Sequence, residues 1–276
     1  MNNQHQKIIE EINTKGFSKI EGFFNDKDLE KFNSNIKKIY EKRITKGDKK
    51  GYFPVSFKDH VFCLFKLKFK SIIQSHHLIG LSKSYSFKNI ANQYFNNNTD
   101  LVFVDSYFSP MSNEKIIDWH ADIPTDLPSN PDKYRKWQRS LKFFIYLTDV
   151  DHDNGCLAYL PQSNKINQAI TKLVLHKKIK ISRFTELSIM REILIKNKDL
   201  RDLLILENSV GKEGLEMFIE NSSFVQNGGD TTNYDIALKK GGMIIFDEFG
   251  FHRGTSPAKT NRIVLRYLFR PRHSCI

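Results

Sequence analysis

An α+β fold with a mainly β core is what the sequence predicts, and three observations predict it. Short strand-like runs crowd the chain after Leu101, Gly, Asn and Asp turn signals separate several of them, and helical periodicity is confined to the first third and to a Lys-rich stretch in the middle. Many short strands joined by tight turns point to a sandwich or jelly roll, here with N-terminal helices and a helical insertion.

Residues 4–13 read as a short helix. The run Gly16-Phe17-Ser18-Lys19-Ile20-Glu21-Gly22-Phe23-Phe24 alternates apolar and polar like a half-buried strand. Asn25 or Asp26 can cap a helix running to about Arg43, with Leu29, Phe32, Ile36 and Tyr40 on one face. Residues 44–59 read as a polar loop carrying Gly47, Gly51 and Pro54, and 61–95 as mostly helix ended by Asn96-Asn97-Asn98. Strands are expected over 101–109, 141–148, 156–160, 243–246 and 263–269. Asp151-His152-Asp153-Asn154-Gly155 reads as a hairpin connection between two of them. The whole chain, 1–276, is expected to be one domain. Residues 1–100 supply the N-terminal strand and helices, 101–163 and 223–276 the β core, and 164–222 a helical insertion on one face.

With 276 residues, 39% of them hydrophobic and 27% charged, the chain can bury a sizeable core and has the mix of a soluble protein. No apolar run approaches the roughly 18 residues of a membrane span, so no membrane partner is expected. The polar start, residues 1–11, has no apolar signal segment behind it. Cys63, Cys156 and Cys275 are odd in number and lack zinc-ligand spacing, which reads as free thiols in a reducing compartment, the cytoplasm. Lys and Arg exceed Asp and Glu by 43 to 31, a formal +12. Such an excess suits anionic partners; by composition alone a solvated basic surface explains it as well.

His120-Ala121-Asp122 is expected just after a strand and before the Pro-containing loop 123–131. Residues i and i+2 of an extended segment share a face, so an imidazole and a carboxylate there can reach one metal ion. A surface His beside a helix-capping Asp is the plainer reading of the tripeptide alone. His252 shifts the balance, because it follows the Gly-led apolar strand Gly241-Gly242-Met243-Ile244-Ile245-Phe246-Asp247. Two His and one carboxylate on strand ends leave three coordination positions open, the preference of non-haem iron(II) sites that bind a co-substrate and O2 together. A zinc hydrolase also needs a placed base, and none stands out. Arg262 begins the next apolar strand. A guanidinium there can pair bidentately with a dicarboxylic co-substrate, or it is a solvent-facing strand-end Arg like its neighbours Arg266 and Arg270.

With these residues in place the chain resembles the phytanoyl-CoA dioxygenase family of iron(II)- and 2-oxoglutarate-dependent oxygenases. The resemblance rests on Trp119-His120-Ala121-Asp122, on Leu147-Thr148-Asp149-Val150 leading to Asn154-Gly155-Cys156-Leu157, on Pro161-Gln162-Ser163-Asn164-Lys165, and on the strand before His252, with His252 and Arg262 themselves. Residues 16–29 also look like the family's opening strand and helix. The resemblance implies a double-stranded β-helix of cupin-like jelly-roll form, with the His120, Asp122 and His252 triad at its open end and iron(II) and 2-oxoglutarate as cofactors. It also implies that Arg262 pairs with the distal carboxylate of 2-oxoglutarate and that Phe144 lines the same pocket. Where the family usually has Gly and His, Gln162 and Asn164 stand, at turn-shaping positions. A small hydroxyl residue often sits two past the distal His; Gly254 stands there, which leaves Thr255 or Ser256 to supply that hydrogen bond. Asp122, rather than the Gly or Ala of related halogenases, implies hydroxylation. Family members act on acyl-CoA thioesters, amino acids, carrier-tethered intermediates and small natural products, so a small, anionic or carrier-bound substrate is expected, with O2.

Two other functions fit the same residues less well. Oxygenases of nucleic acid carry a second Arg six residues after the co-substrate Arg, whereas Arg266 comes four after Arg262, so a nucleic-acid partner is not expected. A non-catalytic binding protein on this fold would have no reason to keep all four of His120, Asp122, His252 and Arg262. Of the remaining candidates, Asp151-His152-Asp153 reads as a solvated turn rather than a metal cluster, His76-His77 as helix surface or core, and Trp119, Tyr107 and Tyr146 as packing. Lys142, inside a strand, is either an inward cation or on the outer face. The cationic run Lys165, Lys172, Lys177, Lys178, Lys180 and Arg183 suggests a lid that selects an anionic substrate, or a solvated helical face.

Overall fold

The computed structural model describes residues 3–40, 50–66, 68–113, 117–134, 138–206 and 210–273. The first half is mostly helical: α1 (Asn3–Lys15), β1 (Phe17–Ile20), α2 (Asp26–Tyr40), β2 (Lys50–Phe53), α3 (Phe57–Phe65), α4 (Phe69–Ser84) and α5 (Phe87–Phe95). The β core follows as β3 (Thr99–Ser109), β4 (Ile117–His120), β5 (Leu141–Tyr146) and β6 (Leu157–Tyr159). Four helices then intervene, α6 (Ser163–Leu175), α7 (Leu187–Lys196), α8 (Lys198–Leu206) and α9 (Lys212–Gln226). The chain returns to β7 (Asp235–Ile236), β8 (Met243–Asp247), β9 (His252–Gly254) and β10 (Arg262–Pro271).

The strands form two antiparallel sheets, one ordered β1-β8-β5-β10-β3-β2 and the other β4-β9-β6-β7. Side-chain alternation along each strand separates two interiors. Leu141, Phe143 and Ile145 of β5, Met243 and Ile245 of β8, and Leu265 and Tyr267 of β10 face the N-terminal helices, burying Ile8, Ile12, Phe32, Leu78, Phe87 and Ile90. The alternate residues Tyr146, Ile244, Phe246 and Val264 face the second sheet and meet Leu157, Tyr159 and Ile236. The result is the cupin-like double-stranded β-helix that the resemblance implies. A third apolar cluster joins α6, α7, α8 and α9 to Trp119, Ala121, Ile123 and Leu127, so the inserted helices pack onto the segment around His120.

Leu29, Phe32 and Ile36 are buried on one face of α2 as their spacing predicts. The Tyr40 side chain, Arg43, Gly47 and Cys275 lie outside the described residues. Three expectations are corrected. The expected strand over 16–24 stops at Ile20, and Phe23 and Phe24 instead pack their rings against Tyr85 and Phe87. The polar loop over 44–59 is interrupted, because β2 pairs with β3 and α3 starts behind a reciprocal Ser56–Asp59 capping box. The 151–155 turn makes no hairpin: β5 before it lies in one sheet and β6 after it in the other, so it carries the chain across the sandwich.

Candidate active site

The triad is assembled by strand pairing. β4 and β9 are antiparallel neighbours with His120 directly opposite His252, and the imidazole centroids lie 4.6 Å apart. His120 therefore closes a strand rather than following one. Asp122 lies beyond it, in a loop pinned by Ala121 N–H donating to Thr185 O (2.9 Å) and Asp122 N–H donating to Glu248 O (3.1 Å). One ligand atom from each of His120, Asp122 and His252 falls within 4.8 Å of the others. His120 Nε2 is 3.7 Å from Asp122 Oδ1, and His252 Nε2 is 3.5 Å from Asp122 Oδ2.

Each imidazole is oriented by its own backbone. His120 Nδ1 lies 2.7 Å from Asp118 O and His252 Nδ1 2.8 Å from Gly250 O. A carbonyl can only accept, so each Nδ1 carries the proton and each Nε2 presents a lone pair toward Asp122. Burial, and then the neighbouring His252, push the His120 imidazole below its ordinary pKa. Burial works against the charge on Asp122, but the Lys142 ammonium outweighs it and holds the carboxyl far below the usual range. At neutral pH these two residues thus offer an uncharged nitrogen and an anionic oxygen.

Gly250 has no room for a side chain. A Cβ there would stand 1.8 Å from the Tyr159 hydroxyl, which donates to Asp247 O at 3.0 Å. Gly250→Ala is expected to cost about 1–3 kcal/mol of stability and, by moving the carbonyl that aims His252, to weaken metal binding by about tenfold or more. Thermal denaturation with a metal titration checks this. Gly80→Ala, where a Cβ meets nothing in the interior of α4, should leave metal binding unchanged and raise the thermal midpoint slightly.

The inner face of the six-stranded sheet continues the site. Arg262, Val264 and Arg266 of β10 lie opposite Ser109, Tyr107 and Asp105 of β3. The two arginines differ in what neutralises them. Arg266 forks onto the buried Asp105 carboxylate and stacks 3.8 Å from the Tyr107 ring centre. Arg262 donates to Gly155 O (2.8 Å) and Ser109 Oγ (3.0 Å), its Nε is enclosed without a partner, and no carboxylate among the described residues pairs with it. Burial lowers its pKa. A half-buried guanidinium that lacks an anion is able to take up an incoming carboxylate.

Phe144 faces the same interior, its ring 5.6 Å from the Arg266 guanidinium and edge-on to Phe246 at 5.0 Å; Phe246 in turn lies 5.1 Å from the His252 ring. Thr255 follows β9, but its hydroxyl donates to Cys156 O at 3.1 Å, and it must leave that carbonyl to reach a co-substrate. Lys142 points inward, onto Asp122 Oδ2 and onto Glu248 Oε1 at 2.6 Å. Glu248, buried at a turn after β8, had no signal in the sequence. Trp119 packs beneath Arg253 and against Tyr234. The Asp151, His152 and Asp153 atoms also converge, but Lys259 salt-bridges both carboxylates in an exposed turn.

These donors fit a divalent iron: two neutral-capable imidazoles and one carboxylate on one side, with a guanidinium that has no carboxylate partner among the described residues beyond. The family profile described as Phytanoyl-CoA dioxygenase (PhyH) matches residues 12–183. The chain belongs to this family, whose members use iron(II) and 2-oxoglutarate. The match contains His120 and Asp122; His252 and Arg262 lie beyond it. No curated protein sequence matches the chain. Among solved structures, AviO1 from Streptomyces viridochromogenes Tue57 superposes with a TM-score of 0.56 at 11% identity, covering 98% of this chain and 96% of that one. HygX from Streptomyces hygroscopicus, with nickel and 2-oxoglutarate bound, gives 0.55 at 15% identity over 97% and 87%. SnoK, a non-haem alpha ketoglutarate dependent carbocyclase from nogalamycin biosynthesis, gives 0.53 at 12% over 96% and 83%. At these identities the likeness is one of fold.

Proposed function

We propose that the chain holds iron(II) on His120, Asp122 and His252, seats the distal carboxylate of 2-oxoglutarate on Arg262, and hydroxylates a small metabolite that is anionic or carrier-tethered. The observation that carries this reading is the convergence of three ligand atoms in the same interior as a half-buried guanidinium without a carboxylate partner among the described residues. Bound iron supplies the redox chemistry that couples 2-oxoglutarate decarboxylation to substrate oxidation. The chain's residues hold and shield it. The Asp118 and Gly250 carbonyls fix the imidazole tautomers. Lys142 engages one Asp122 oxygen and leaves the other for the metal. Phe144, Tyr146 and Phe246 keep water from the interior. Thr255 is the reserve hydroxyl beside the co-substrate seat. The free thiols of Cys63 and Cys156 suit a reducing compartment such as the cytoplasm.

The test is succinate release from 2-oxoglutarate with iron(II) and ascorbate, across a panel of acyl thioesters, amino acids and phosphorylated or carrier-bound metabolites. A product heavier by one oxygen atom supports hydroxylation. A product lighter by two hydrogens replaces it with ring closure or desaturation, as the name of SnoK suggests for that protein.

We read residues 164–222 as the lid over this site. The segment before α7 supports it, because Glu186 bridges to His120 and Thr185 O accepts from Ala121 N–H. Changing Lys177, Lys178 and Lys180 together to Gln is expected to raise the substrate KM by about threefold to tenfold at low salt, and less at high salt, with the 2-oxoglutarate requirement unchanged. Lys177 already pairs with Asp132 at 2.8 Å, so the loss is shared between substrate and loop. Unchanged efficiency at low ionic strength removes the lid's charge from recognition.

A further inference from the structure

Helix α3 is built inside out. None of its residues is buried. His60, Val61 and Cys63 are its half-buried positions, with the His60 ring 5.4 Å from His76 of α4. Phe57 and Phe65 are 84% and 83% exposed, Phe62 and Leu64 are exposed beside them, and Phe69 and Ile73 continue the exposure along one face of α4. An amphipathic helix normally buries its apolar face and shows water its polar one, and a continuous exposed apolar face marks something that covers it.

The charges say what kind of surface covers it. Lys58, Lys66, Lys68 and Lys70 are exposed among these aromatics, and Lys66 Nζ lies 5.8 Å over the Phe62 ring. Asp59 is the one acid among the described residues of 57–73, and its carboxylate is spent on the Ser56 cap. Two copies meeting here would set lysine against lysine, on a chain of net charge +12. Aromatic rings flanked by ammonium groups suit the boundary between acyl chains and anionic headgroups. We propose that the α3–α4 hairpin docks this protein on an anionic lipid surface. The expectation of no membrane partner rested on the lack of a spanning run; no helix among the described residues is long and apolar enough to cross a bilayer, and docking needs none.

The experiment is co-sedimentation of the full chain with vesicles of phosphatidylcholine alone and of equal parts phosphatidylcholine and phosphatidylglycerol. Binding to the anionic vesicles is expected, falling by about tenfold or more in Phe65→Ser/Phe69→Ser and also falling in Lys66→Gln/Lys68→Gln/Lys70→Gln or at high salt. Circular dichroism should show both variants folded. Absence of binding to anionic vesicles, equal binding to both vesicle types, or binding unchanged in the Phe variant overturns the proposal. So does a concentration-dependent dimer in free solution that Phe65→Ser/Phe69→Ser abolishes, since the face then belongs to a second copy.

Discussion

Replacing His252 with Ala is expected to abolish iron(II) binding and leave the fold in place. The side chain is buried between Phe246 and Tyr159, so truncation costs stability on the order of 2 kcal/mol, which a chain with three apolar clusters can absorb. The metal site has no such reserve. A triad reduced to one imidazole and one carboxylate loses more than the 10–100-fold that removal of an outer-shell partner costs. Anaerobic titration should give about one iron(II) per wild-type chain and no saturable binding in the variant, with far-UV circular dichroism unchanged. A variant that takes up iron with wild-type affinity would show that these three residues are not the ligand set.

Arg262→Gln should act on the co-substrate alone. Losing a bidentate charge-assisted pair removes roughly 2.7 kcal/mol, on the order of a hundredfold in affinity. The 2-oxoglutarate concentration needed for half-maximal succinate release should therefore rise by about that factor, with iron affinity untouched. Arg266→Gln is the contrasting change: it strands the Asp105 carboxylate, whose partner Arg266 is, and should lower the thermal midpoint well before it alters the co-substrate requirement. If the two variants exchange these behaviours, Arg266 holds the co-substrate.

Spacing alone left Arg262 and Arg266 alike in sequence, and the reason is physical. Both sit on the inward parity of β10, and what separates them is the residue opposite on β3, Ser109 for one and Asp105 for the other. Cross-strand partners are far apart in the chain and invisible to any local pattern. The same holds for His120 and His252, which face each other from strands of four and three residues, too short for periodicity to register. The chemistry of two imidazoles and a carboxylate at strand ends brought them together where periodicity could not, and the resemblance agreed with it. Long elements were readable: the expected strands over 101–109 and 263–269 lie within β3 and β10, and the inserted stretch is helical. Turn chemistry was readable at 151–155, but its use was not, because Asp, Asn and Gly favour the same bend whether the chain doubles back or crosses to another sheet. Lys142 showed its oddness in the sequence, while its partner Glu248 did not, since nothing local distinguishes a buried glutamate from a solvated one.

That turn has a consequence for what lengths the chain will accept. The Asn154 side-chain amide donates to Asp149 O and Thr260 Oγ1, and its oxygen accepts from the backbone of Lys259 and Thr260. Gly155, at φ +76°, leaves no space for a Cβ against Arg262 and lends that arginine its carbonyl. Exposed turns are ordinarily where a protein takes insertions, tags or grafted peptides without complaint. Here a single added residue would be transmitted through one carbonyl to the Arg262 guanidinium. A stretch that looks disposable from outside is therefore a fixed-length spacer, and lineages of this chain should vary its letters before they vary its count.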